Sequence, residues 1–153
     1  MKSLELKVPP PVVVVSTSLL MWLTPLILLN IFIANTWCSS LGAILMLLGV
    51  LTDAYAAVMF FTAKTTISPI APQKSSTLIV NGPFKLTRNP MYLGMAILLV
   101  GWALVLQNPL ALLGPIFFVI YITRFQIIPE ERILSQKWGD AYTAYKSKTK
   151  RWL

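Results

Sequence analysis

Two patches concentrate side chains able to do chemistry. One is Asn81-Gly82-Pro83-Phe84-Lys85-Leu86-Thr87-Arg88-Asn89-Pro90-Met91-Tyr92-Leu93-Gly94; the other is Pro129-Glu130-Glu131-Arg132. In the first, Asn89 suits a helix N-cap and Pro90 the first helical position, so the spacing predicts a helix start there. The free amides and positive dipole end of such a start can hold a carboxylate or a phosphate. In the second, acids just after a proline stabilise a helix dipole by roughly 0.3–1 kcal/mol. Glu130 and Glu131 are nevertheless two of only five acidic residues in the chain, and paired carboxylates can bind hydroxyls, an ammonium or a sulfonium. Asp53 is a third candidate, because a carboxylate inside an apolar run is costly to keep. Each residue also has a plainer role: Arg88 as a topology signal, Tyr92 as an interfacial anchor, Gly94 as a packing contact.

The missing residue types narrow the chemistry. There is no His and one cysteine, Cys38. That argues against a zinc site of the usual kind, so no metal ligands are expected, and it excludes imidazole acid–base work, Ser-His or Cys-His nucleophiles and an intrachain disulfide. No P-loop, dinucleotide fingerprint or internal repeat is present.

The elements that must carry these patches are apolar. At 56% hydrophobic and 12% charged residues, with a mean hydropathy of +0.72, the chain reads as an all-α integral membrane protein forming one domain over residues 1–153. Four transmembrane helices are expected, at about 12–34, 41–63, 92–107 and 110–128. A cytoplasmic loop over 64–91 lies between the second and third, and an interfacial helix over 130–146 follows the fourth. The first apolar run exceeds a signal-peptide core and reads as retained. Pro9-Pro10-Pro11 marks its start, and Pro25 is a kink candidate. On the interfacial helix, Glu130, Leu134, Trp138, Ala141 and Tyr145 share a face, with Glu131 and Tyr142 at its edge, provided Gly139 does not break the register.

The formal charge is +8. With four spans, every Lys and Arg falls on one side of the membrane, which the positive-inside rule makes cytoplasmic, along with both termini. Anionic lipid headgroups then account for the basic excess and no nucleic-acid partner is needed.

Taken together, Gly82-Pro83-Phe84, Arg88-Asn89-Pro90-Met91-Tyr92-Leu93-Gly94, Glu130-Glu131 and Trp138-Gly139-Asp140-Ala141-Tyr142-Thr143-Ala144-Tyr145 resemble the membrane methyltransferases that include isoprenylcysteine carboxyl methyltransferase and the phospholipid methyltransferases. The resemblance covers about Thr62 to Trp152. It implies S-adenosylmethionine as cofactor, held by Leu78, Ile79, Phe84, Asn89, Pro90, Met91, Tyr92 and Glu130, with Ser76 and Thr77 at the entrance and Glu131 and Arg88 in support. Where family members often carry a His, this chain has Ser76. Where the isoprenylcysteine branch places an Arg that meets a substrate carboxylate, it has Gln126. Arg124 is two positions away on nearly the opposite helix face, so Gln126 and Arg124 are the substrate-side candidates.

The function so implied is methyl transfer to a membrane lipid or lipidated substrate entering from the bilayer. An ammonium substrate must first lose a proton, for which Glu131 or Asp53 is a candidate catalytic base. The location would be the cytoplasmic membrane of a prokaryote or the endoplasmic reticulum of a eukaryote. Two other readings fit the same residues: a nicotinamide-dependent membrane reductase of the sterol-reductase type, and a non-catalytic membrane scaffold.

Overall fold

The computed structural model describes residues 5–27, 36–65 and 75–153, and among these there are helices and turns but no strand. Five α-helices follow in order: α1 Pro10–Ile27, α2 Thr36–Thr62, α3 Pro90–Leu106, α4 Leu113–Ile122 and α5 Ile128–Lys148. Short 3-10 turns at Gly82–Lys85 and Pro109–Leu112 precede α3 and α4, and a π turn, Thr123–Ile127, joins α4 to α5.

Among the described residues, two stretches are long and apolar enough to cross a membrane: Thr36–Thr62, with mean hydropathy 2.1, and the continuous run Pro109–Lys148, with 1.8. The other two apolar helices, α1 and α3, have 18 and 17 residues. Helix α1 starts at Pro10, so two of the three prolines sit in its first turn, where a missing amide leaves no carbonyl unpaired. Residues 28–34 of the expected first span lie outside the described residues. Helix α2 begins at Thr36, five positions before the expected Leu41, because Thr36 to Ser40 contains no breaker.

The largest difference from the sequence expectation is at Pro129. Instead of two helices separated there, the chain stays helical from α4 into α5. Proline cannot bond back to the carbonyl of Phe125 and its ring crowds that carbonyl. The π turn widens the backbone there, Ile128 donating to the Thr123 carbonyl, and the amide of Leu6 takes up the Phe125 carbonyl at 3.0 Å. A second interruption is internal to α5: Gly139 has φ 49° and ψ −121°, so the helix is broken in register there. The expected common face therefore does not run through. Ala141 is exposed, while Tyr142 and Tyr145 are buried.

Helices α2 and α3 pack antiparallel along glycines at matching seven-residue spacing. A Cβ on Gly42 would lie 2.6 Å from the Gly101 carbonyl oxygen, and one on Gly49 would lie 2.6 Å from that of Gly94. Glycine lets the backbones touch, which is how helices gain contact where no hydrophobic drive exists between them. The buried core joins Val13 and Met21 of α1, Leu99 and Ala103 of α3, and Phe118 and Ile122 of α4. Trp102 donates to the Ser18 carbonyl at 3.1 Å, tying α3 to α1. At one end of the bundle Gln107 donates to Ser39 at 2.6 Å. The charged residues gather at the other end, where Glu5 pairs with Arg124 and Arg132.

Candidate active site

A cavity of about 250 Å³ opens at the charged end, between the loop before α3 and the first turns of α3 and α5. Pro90 starts α3 and carries Met91 and Tyr92 into the wall; no side-chain hydrogen bond from Asn89 caps that start. Instead the Asn89 side-chain amide donates to the Arg151 carbonyl at 3.0 Å. Phe84, in the 3-10 turn, packs edge-on against Phe60 of α2 with centroids 5.6 Å apart, and its carbonyl accepts from the Tyr145 hydroxyl at 2.7 Å. Thr77, Leu78 and Ile79 form a further wall. The loop is tied at its start by Lys137, which donates to the Ser75 carbonyl, and by Thr65, whose hydroxyl accepts from the Ser76 amide at 2.8 Å.

The two glutamates have opposite electrostatic settings. Oε1 of Glu130 accepts from the Tyr92 hydroxyl at 2.6 Å and from the Gln126 side-chain amide at 2.7 Å. Burial raises the Glu130 carboxyl to about 7; the bonds from Tyr92 and Gln126 pull the other way and offset only part of it. For Glu131, burial pushes the carboxyl up as well. Hydrogen bonds from Arg151 and Arg88, with their charges, outweigh that and hold it below the usual carboxylate range. Arg88 Nη2 lies 2.7 Å from Glu131 Oε1, and Arg151 spans both oxygens, with Nε 3.1 Å from Oε1 and Nη2 2.7 Å from Oε2. Adjacent residues thus become a near-neutral acid facing the cavity and a fixed carboxylate knitting its wall.

The structure brings together ten of the sequence candidates: Thr77, Leu78, Ile79, Phe84, Asn89, Pro90, Met91, Tyr92, Glu130 and Glu131 all line the cavity. Four others sit elsewhere. Ser76 is exposed and donates to the Lys64 carbonyl at 3.3 Å, with its neighbour Ser75 lining the cavity in its place. Gln126 is buried behind Glu130, on the π turn. Arg124 is on the outer surface, 3.6 Å from Glu5 and stacked against Phe125, because the π turn directs it away from the site. Asp53 lies between α2 and α3 against Gly94, and its buried Oδ1 has no hydrogen-bond partner among the described residues.

Sequence reasoning missed Pro10, Pro11, Phe60 and Met95 as lining residues, and Arg151 as the partner of Glu131. Phe60 and Met95 look like ordinary apolar span residues, and Arg151 belongs to a basic tail that topology already explained. The Tyr142 and Tyr145 rings were legible as aromatic neighbours of the Glu pair, and both reach the cavity.

What such a site can hold follows from its lining. A carboxylate near Phe60, Phe84, Tyr142 and Tyr145 suits an organic cation, through charge and ring faces. Arg88 lines the same cavity, and its buried Nε lacks a partner among the described residues, a donor suited to an anionic group. A molecule carrying both a cation and a carboxylate therefore fits.

Comparison with known proteins identifies the family. The chain is 31% identical over 131 residues to protein-S-isoprenylcysteine O-methyltransferase A of Arabidopsis thaliana, covering 84% of this chain and 65% of that protein. It is 32% identical over 119 residues to protein-S-isoprenylcysteine O-methyltransferase of Saccharomyces cerevisiae, covering 76% and 48%. An uncharacterized protein of Haemophilus influenzae matches at 49% over 63 residues, 41% of this chain and all of that protein. The chain thus spans about two thirds or less of the two methyltransferases' length. No solved structure matches. The family model of phospholipid methyltransferases covers residues 37–141, from the start of α2 through both glutamates and past Gly139, and the chain belongs to that membrane-associated family.

Proposed function

We propose that this protein is a membrane methyltransferase that uses S-adenosylmethionine and methylates a lipid or lipidated substrate at the cytoplasmic face. The observation that carries the reading is the cavity at the charged end of the apolar bundle. There a buried carboxylate, Glu130, is oriented by Tyr92 and Gln126 among aromatic rings. Four membrane crossings, by α1, α2, α3 and α4, would put this end on the cytoplasmic side together with the basic residues.

The methyl donor supplies an already activated carbon, so the protein's work is binding, orientation and exclusion of water. Glu130 and the surrounding rings would hold the cofactor's cationic part, and Arg88 its carboxylate. Leu78, Ile79, Phe84, Asn89, Pro90 and Met91 would enclose the rest, with Ser76 and Thr77 near the mouth. An amine substrate needs a proton acceptor. Glu131 is locked by two arginines and Asp53 lies outside the cavity, so that role passes to Glu130, poised near 7. Gln126 presents a neutral amide behind Glu130, which favours an uncharged or amine-bearing lipid over a carboxylate. In that case Gln126→Arg gains carboxylate methylation, and efficient carboxylate methylation by the native chain would sink the assignment.

The direct test is calorimetric titration of S-adenosylmethionine into the detergent-purified protein, beside Glu130→Ala. Micromolar binding that the variant loses supports the reading. Absence of binding by a folded native protein overturns it.

A further inference from the structure

After Lys148 the chain leaves helix α5 through an extended Thr149 and runs back along the loop before α3. Its backbone is stitched there at several points. The Arg88 amide donates to the Lys150 carbonyl at 2.9 Å, and the Arg151 carbonyl accepts from Thr87 Oγ1 at 3.0 Å and from Asn89 Nδ2 at 3.0 Å. Arg88 also donates through Nη1 to the carbonyls of Thr149 and Lys146, the latter at 3.3 Å. Trp152 Nε1 reaches Thr123 Oγ1 on the π turn at 3.1 Å. Between these backbone ties, the Arg151 side chain grips both oxygens of Glu131.

We propose that residues 149–152 form a strap that sets the cavity's geometry, and that Arg151 is its positioning residue. Arg151 does not line the cavity. It acts through Glu131, whose neighbour Glu130 faces the ligand, and through its carbonyl, which fixes the loop carrying Arg88, Asn89 and Pro90. Two walls that come from distant parts of the chain are thereby held in one register. A planar guanidinium makes both bonds to one carboxylate at once, whereas a lysine in its place keeps the charge and one bond. The consequence for the methyl donor rests on the proposed function; the holding of the loop does not.

The experiment compares Arg151→Ala, Arg151→Lys and the exposed control Lys148→Ala, each as the full chain in detergent. It reads amide hydrogen exchange and S-adenosylmethionine affinity. Arg151→Ala should speed exchange of the amides from Arg88 to Leu93 roughly tenfold with α2 unchanged, and weaken S-adenosylmethionine by roughly tenfold, the effect of one charge-assisted bond. Arg151→Lys should recover part of both, and Lys148→Ala should match the native chain. Unchanged loop exchange overturns the positioning role of the Arg151 side chain. A uniform rise in exchange across every helix with a matching fall in melting temperature overturns the positioning role in favour of general stability. Faster loop exchange with unaltered affinity overturns its link to the ligand. If the native chain binds no S-adenosylmethionine, the functional reading falls, and the exchange comparison still decides whether the Arg151 side chain positions the loop.

Discussion

Tyr92, Gln126 and Glu130 form the smallest unit that behaves as a device, since a hydroxyl and an amide aim at one oxygen of a buried acid. Between pH 4.5 and about 7 the folded protein keeps Glu130 protonated where the unfolded chain does not, so stability falls as pH rises through that window. Glu130→Gln should remove this slope, a difference of roughly 3 kcal/mol across the window, read by denaturation at pH 5 and pH 8. A bound cation needs the carboxylate, so S-adenosylmethionine affinity should rise with pH through about 7 in the native chain and stay flat in Glu130→Gln. Tyr92→Phe deletes a bond that favours the carboxylate form. The pH at which binding strengthens should move up by about one unit, measured by titrations between pH 6 and 9. At this scale much was legible. The glutamates, Tyr92 and the loop residues stood out as polar chemistry in an apolar chain, while the pairing that makes the two glutamates different did not, because no pattern links Arg151 to Glu131.

Among the elements, the π turn is the hinge of the architecture. It keeps α4 and α5 in one helical path past Pro129, buries Gln126 behind Glu130 and leaves Arg124 outside. Proline read locally signals a break, and what overrode it was a long-range bond from Leu6 that no window of sequence contains. Gly139 has the opposite character, because its positive φ with a strongly negative ψ suits glycine alone. Nothing among the described residues lies within 4 Å of a Cβ built there, so Gly139→Ala should cost about 1–3 kcal/mol from backbone strain rather than a clash. On the α2–α3 contact the reason is reversed. A Cβ on Gly101 meets the Gly42 carbonyl at 2.6 Å, and Gly101→Ala should lower stability by about 1–3 kcal/mol through overpacking, visible as a lower melting temperature in detergent. Gly94 was readable in the sequence as a packing contact, though its partner Gly49 in α2 was not.

For the molecule as a whole, the division of charge from apolar surface governs everything else. Helix α2 leaves Leu41, Ile44, Leu48, Leu51 and Val58 about half exposed, as a lipid-facing surface requires. The cavity and the ion pairs occupy the end with the basic residues, and Cys38 sits near the opposite end, at the start of α2. With the cavity cytoplasmic, a membrane-impermeant maleimide should label Cys38 from the outer side of intact cells, and Cys38→Ser should abolish the signal. Labelling confined to inverted vesicles would reverse the orientation.

The sequence by itself determined the helical class, the apolar stretches, the grouping of charge and the identity of most side chains around the cavity. Those follow from composition, from breakers and caps, and from residue types whose chemistry is intrinsic. Only the tertiary structure decided which acid is paired and which is poised, that Arg124 faces away and Gln126 inward, that α4 runs on into α5, and that the segment after α5 closes on the loop before α3. Each of these depends on groups far apart in the chain meeting in a low-dielectric interior. There desolvation and a single well-placed partner outweigh any local propensity.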